Sequence, residues 1–187
     1  MLKLQAVANF AIAEAKRLGA TDAEITMSVG DSVSIGVRQG EVEELTGAQS
    51  QGLTFRAFVG QRHATVSSSD FRKRSMTKLV RDTIALAKVS EEDPSAGLAD
   101  PEHLAREFPE LNLFDASVSS LTVADKIRLA KECEAAALGE NKLVTNSEGA
   151  GFSDSRGILV KANSRGFSGA YQSSHCSLSA SAIASDG

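Results

Sequence analysis

Few residues in this chain have a type and spacing that could do chemistry. The one adjacent pair of good ligands or nucleophiles is His175-Cys176. On a strand, neighbours point to opposite faces, so His175 is badly placed as a base for that thiol. Cys176 continues the apolar parity of Leu178, Ala180 and Ala182, which predicts a small buried thiol. Cys133 falls on a helical apolar stripe with Ile127, Ala130 and Ala137 and reads as a core thiol. His63 opposes Ala64 and Val66 in an alternating run, a rim or solvent position, and His103 has no partner in sequence. No two histidines stand at the i, i+4 spacing that puts two ligands on one helix face. The expectation is that no catalytic residue and no metal ligand is present.

Charge offers two further candidates. Glu41, Glu43 and Glu44 are clustered, but they lack the Asp/Asn-and-Gly loop of oxygen ligation and read as a solvated edge. Arg74, Lys78 and Arg81 make a basic stripe at helical spacing, with Arg72 and Lys73 beside it. Such a stripe could dock an acidic partner, although exposed helix faces commonly look like this. The glycines of "SEGAGFSDSRG" and "NSRGFSG" lack the Lys and the following helix of a phosphate loop, and read as turns and strand kinks.

From Gly166 to Ser185 there is no Asp, Glu, Lys or Arg, in a chain that is 24% charged. Ser177, Ser179 and Ser181 alternate with the small apolar residues there, and short hydroxyls let another backbone approach closely. The run is a candidate edge for an extended peptide, or for pairing with further strands. Asp186-Gly187 is a hairpin signal that calls for a returning strand. An uncharged edge left open invites aggregation, so this sequence reads as one meant to be covered.

The elements that must position these residues follow from periodicity. Val7, Ala11, Ala15 and Leu18 predict an opening helix ended by Gly19. "AEITMSV" and "SVSIGVR" alternate, with Gly30-Asp31, Gln39-Gly40 and Gly60-Gln61 as turn signals, which gives about five strands in an antiparallel meander. A helix capped by Ser69 or Asp70 follows, with Met76, Val80, Ile84 and Ala87 buried. All three prolines fall in one long surface crossover. A third helix carries a Thr122/Asp125 capping box and stops at Gly139, and the chain then returns to strands. The fold class is α+β, with a helix-packed meander followed by the start of a second, incomplete set of strands. Residues 1–89 form an N-terminal domain, 90–121 the crossover, and 122–187 a helix and strands leading towards a further domain.

Composition limits the partners. A formal charge of −4, no Trp and one Tyr argue against a direct nucleic-acid binder. The first residues mix charge into their apolar positions, unlike a signal peptide, and no run approaches the ~20 apolar residues of a membrane span. Free thiols in a reducing cytoplasm, with no membrane partner, are the expectation.

The order of several unusual words resembles the N-terminal part of the TldD/PmbA family, also known as modulators of DNA gyrase. Among them are "GATDAEITMS", "SVSIGVRQGEVEEL", "GLTFRAFVGQRHATVSSSDF", "EDPSAGLAD" and "TNSEGAGFSDSRG". "DPSAGLAD" and "NSRGFSGAYQSSHCSLS" bring it nearer the PmbA (TldE) branch. The resemblance implies intracellular peptide processing by a metallopeptidase assembly, with a TldD-like subunit or a second copy as partner and an extended peptide as substrate. It also implies that zinc is held by a His-Glu-x-x-x-His helix of the TldD type, a motif absent from this sequence. Two expectations account for this, and both can hold: the chain stops before a catalytic domain, or it belongs to a branch without that helix. The chain alone is expected to be inactive. A non-enzymatic peptide- or protein-binding module of the gyrase-modulator kind is the alternative.

Overall fold

The computed structural model describes residues 1–139 and 141–185. The Asp186-Gly187 turn signal lies outside them. Two helices of regular length precede or follow the first strands: α1 (Leu2–Arg17) and α2 (Lys73–Val89). The short α3 (Ala116–Ser120) and the long α4 (Val123–Gly139) come later. The strands are β1 (Asp22–Arg38), β2 (Glu41–Val59), β3 (Arg62–Ser68), β4 (Val144–Asn163) and β5 (Ser168–Ala184). They form an open antiparallel sheet of order β3-β2-β1-β4-β5. The α+β class expected from periodicity is what the chain adopts. The later strands join the meander's own sheet, with β4 against β1.

The meander has two long strands and one short one where about five short ones were expected. Gly30-Asp31 makes no turn: β1 runs straight through it, and Gly30 has no positive φ. The Asp31 carboxylate is used sideways instead, accepting from Arg156 Nε on β4 at 2.8 Å. β2 likewise passes through Gly47 and Gly52 unbroken. The other two signals do turn. Gln39 and Gly40 both have positive φ (52° and 77°), and Gly60 has φ 62°.

The chain divides into two compact units. Unit 1 comprises residues 1–29, 50–111 and 158–171. Its core packs Ala8, Ala11, Ile12 and Ala15 of α1 and Met76, Val80 and Ile84 of α2 onto one sheet face, supplied by Ile25, Met27, Leu53, Phe55, Val160 and Ala162. Ala20 N–H reaches Ala15 O and Gly19 N–H reaches Lys16 O, so α1 ends in the glycine-terminated motif that its sequence predicts. The cap of α2 differs from expectation. Its N-cap is Arg72, and Asp70 sits two residues earlier, accepting from the Arg72 N–H, the Arg72 guanidinium and the Ser75 hydroxyl. These donors, the Arg72 guanidinium foremost, hold the Asp70 carboxyl well below the usual range.

Unit 2 comprises residues 30–49, 112–157 and 172–187. Here α4 covers one sheet face, with Ala130 packed on Ile35, Val37, Ala150 and Phe152. The Thr122/Asp125 box forms as expected: Thr122 N–H donates to Asp125 Oδ2 at 3.0 Å, and Asp125 N–H to Thr122 Oγ1 at 3.2 Å. The crossover is irregular and exposed, interrupted by one 3-10 turn (Pro101–His103) and by α3.

Alternate positions on β1 should therefore respond very differently to truncation. Met27→Ala is expected to lower stability by about 2–5 kcal/mol, and Thr26→Ala by no more than about 0.5 kcal/mol. Urea unfolding of the two variants checks this, and equal losses would refute the assigned face.

Candidate functional site

Unit 2 carries its helix on one side of the sheet only. The other side has a row of small residues along its middle strands and β5. Side-chain parity places Gly36, Gly151 and Ser179 on that side, with Ser153 and Ser177 in a neighbouring row where their hydroxyls lie 2.7 Å apart. A groove of about 620 Å³ runs over it, floored by Gly36, Gly149, Gly151, Ser179 and Ser181 and flanked by Glu43, Glu44 and Glu148. Gly149 is required there. At φ 113°, a Cβ would meet the Val37 carbonyl oxygen at 2.7 Å.

β5 forms one edge of the sheet. Ser174 N–H donates outward to Leu113 O at 2.9 Å, and the Ser174 hydroxyl accepts from Asp115 N–H at 2.8 Å. The crossover thus covers the edge at this point. Main-chain direction alternates along a strand, so Cys176, Leu178, Ala180 and Ala182 also turn their N–H and C=O outward. Among the described residues no strand pairs with them. Ser177, Ser179 and Ser181 are exposed, but their main-chain groups face β4, as the contact of Ser147 Oγ with Ser181 O illustrates. The serines supply the groove's surface, and their even-numbered neighbours supply the free hydrogen-bonding edge. Parity arguments on side chains alone missed this division.

Cys176 is exposed, contrary to the buried thiol predicted from its parity. Of these alternate β5 residues only Ala180 packs against the α4 cluster, and Cys176 and Leu178 on the same face are left exposed. Cys133 is half-buried against the α4 cluster. His63 is half-buried, its ring 5.8 Å from that of Phe58. His103 and His175 are exposed, and His63 and His103 belong to unit 1 whereas His175 belongs to unit 2. Among the described residues no three His, Cys, Asp or Glu side chains converge in a way that could hold a metal ion. Arg74, Lys78 and Arg81 lie exposed along α2 in unit 1, with Lys78 paired to Asp82 one turn on. Glu41, Glu43 and Glu44 are all exposed on β2.

Two features of α4 had no sequence signal. Lys126 and Asp154 form an ion pair with both side chains less than 10% exposed. Glu134, 2% exposed, accepts the N–H groups of Gln39 and Gly40, each at 2.9 Å. The Ser147 hydroxyl, then the Gly40 and Gln39 N–H groups, hold its carboxyl below the ordinary range despite burial. A helix thereby fixes the β1–β2 turn.

Comparison with known proteins gives this arrangement a context. The profile of the PmbA/TldA metallopeptidase domain 1 matches residues 23–87, and that of the PmbA/TldA metallopeptidase central domain matches residues 116–187. The chain belongs to the PmbA/TldD family. It is 32% identical to the metalloprotease PmbA homolog of Haemophilus influenzae, over 97% of this chain and 40% of that protein. It is 33% identical to metalloprotease PmbA of Escherichia coli O157:H7, over 88% of this chain and 36% of that protein. The chain thus spans about two-fifths of the length of the curated relatives it matches.

A candidate modulator of DNA gyrase from Bacteroides thetaiotaomicron superposes over 100% of this chain and 43% of its own, with a TM-score of 0.88 and 25% identity. TldE from Thermococcus kodakarensis shares the fold at a TM-score of 0.80 and 14% identity, over 97% of this chain and 40% of that one. The family resemblance seen in the word order, and its PmbA side, are thereby shown. No helix among the described residues is long and apolar enough to cross a membrane.

Two outcomes follow for the charges under α4. Lys126→Met should cost about 3–5 kcal/mol by stranding Asp154, whereas Lys126→Met with Asp154→Leu should recover most of that loss. Thermal unfolding of the single and double variants decides, and an equally unstable double variant would refute the pair's isolation. Glu134 titrates in the opposite sense to a buried acid that gains a proton on folding. Its stabilisation is complete above its ordinary value of 4.5 and is lost as pH falls through the lowered native value. The stability gap between the wild type and Glu134→Gln should therefore narrow on acidification, as urea midpoints across pH will show.

Proposed function

We propose that this chain is the N-terminal and central part of a PmbA-type subunit in an intracellular peptidase assembly, and that unit 2 offers it an edge for extended peptides. The observation that carries the reading is the uncharged open edge of β5 beside a glycine- and serine-floored groove. Strand addition draws affinity from main-chain hydrogen bonds and keeps sequence preference loose, which suits a subunit that handles unfolded segments. Cys176, Leu178, Ala180 and Ala182 would bond the peptide backbone, and Ser177, Ser179 and Ser181 would leave space beside it.

Hydrolysis belongs to the assembly in this reading. The histidines and thiols of this chain do not fit a zinc site, since they neither converge nor share one unit. Zinc and its catalytic groups would come from a TldD-like partner or from parts of the family's longer chains. Arg74, Lys78 and Arg81 are the available cations for docking such a partner. Lys78 is already paired with Asp82, which weakens its claim.

Amide exchange on this chain, with and without an unstructured peptide, tests the edge. The amides of Cys176, Leu178, Ala180 and Ala182 should slow on adding peptide, while those of Ser177, Ser179 and Ser181 should change little. Even-numbered amides already slow without peptide would refute the reading. Leu178→Pro removes an outward donor without touching the β4 ladder, and is expected to weaken binding roughly tenfold with the fold intact. Lys78→Glu, by contrast, should shift stability by no more than about 0.5 kcal/mol. Its loss of a TldD-like partner in a pull-down would show that α2 is an interface.

A further inference from the structure

The crossover segment from Glu91 to Leu104 runs along unit 1 without strand or α-helix, and none of its side chains is fully buried. A segment that buries so little apolar surface is held mainly by its polar contacts. At its start Asp93 N–H donates to Gln61 O at 2.9 Å, and Arg62 Nη2 pairs with Glu92 at 3.1 Å. Further along, one side chain makes the attachment. Arg165 Nη1 donates to Leu98 O at 2.9 Å, to Ala99 O at 3.3 Å and to the Asp100 carboxylate at 3.1 Å.

The other side of the same guanidinium is fixed to the sheet. Arg165 Nε and Nη2 donate to Asp22 Oδ2 at 3.0 and 2.7 Å, and Asp22 also accepts from the Ser164 hydroxyl at 2.6 Å. Burial pushes the Asp22 carboxyl up, but the Arg165 and Ser164 hydrogen bonds outweigh it and leave it lowered, so the anchor stays charged. A planar fork with donors on both sides can bridge a carboxylate and two carbonyls at once, which an ammonium cannot do in the same geometry.

We propose that residues 91–104 are a strap pinned by Arg165, which opens and closes locally while the sheet of unit 1 stays folded. Its intermediate contacts are internal to the strap: Ala96 N–H to Asp93 O and His103 N–H to Asp100 O. The segment therefore keeps these two local turns when it lifts. Opening exchanges the carbonyl and Asp100 contacts of Arg165 for water, and leaves the Asp22 pair and the attachment of Glu92 and Asp93 to Gln61-Arg62 in place as the hinge.

Limited proteolysis by thermolysin at Gly97-Leu98 and His103-Leu104 tests the pin, with amide exchange of Ile25 and Met27 reporting on the sheet. Arg165→Ala should speed cleavage at both bonds roughly tenfold or more, the change expected from losing charge-assisted hydrogen bonds, and Arg165→Lys should fall between it and the wild type. Asp100→Lys tests the same contact from the strap side, placing a cation against Arg165 and leaving Asp22 untouched. It too should speed cleavage, with the Ile25 and Met27 amides as slow as in the wild type. If Arg165→Ala fails to fold, Asp100→Lys decides alone. Unchanged cleavage in Asp100→Lys, or wild-type cleavage that proceeds only in step with exchange of Ile25 and Met27, would overturn the proposal.

Discussion

The antiparallel pairing of β1 with β4 is the constraint on which the other elements depend. These strands lie more than a hundred residues apart in sequence, and a one-residue slip would turn Ile25, Met27 and Ile35 away from their helices. Each unit fastens the register with its own polar contacts. In unit 1 the Ser164 hydroxyl accepts from Ala23 N–H, and Arg165 holds Asp22. In unit 2 Arg156 holds Asp31. Closing so long a loop is entropically costly, and apolar faces alone tolerate shifts by two residues. The ion pairs do not, because each joins one specified residue to another.

α4 shows why a surface-looking sequence can be a core-facing helix. Ala130 is its one fully buried apolar residue, and Lys126 and Glu134 are buried with it. Both charges are matched before they are buried. Lys126 meets Asp154, and Glu134 meets two main-chain N–H groups of a turn that needs acceptors anyway. Such matching adds little net stability over an apolar filling, and its contacts form only with the helix seated as it is. The groove is lined by Val37 and Glu43, which flank that turn in sequence, and by Gly149.

Much of this fold is legible from local periodicity. The buried stripe of α2, the glycine stop of α1, the capping box of α4 and the turns at Gln39-Gly40 and Gly60 depend on residues within a few positions of one another. What local patterns could not supply was partnership at a distance. Gly30-Asp31 has the composition of a turn, yet Asp31 is committed to Arg156 on another strand. Asp70 has the composition of a cap, yet its geometry serves Arg72 and Ser75. Cys176 has core parity, but parity names a face and not whether a helix reaches that far along it. The candidate edge was visible as an uncharged run. Which residues turn their main chain outward became clear only from the bond of Ser174 to Leu113.

The two outer strands of unit 2 make the final contrast. β2 from Glu41 to Gln49 is exposed throughout and pairs with β3 only beyond Gly52, so its outer edge is open among the described residues. It carries Glu41, Glu43 and Glu44 there, charges of the kind that keep an edge from recruiting another strand. β5 is open over a similar length and carries none. Both edges have the same main-chain capacity for pairing, so the difference lies in what an approaching strand must desolvate. At β2 it would have to strip water from carboxylates, whereas at β5 it meets hydroxyls and methyl groups. If general solubility alone governed the surface, both edges would need protection equally. Among the described residues one edge carries carboxylates and the other carries none, and the proposed strand addition at β5 rests on that contrast.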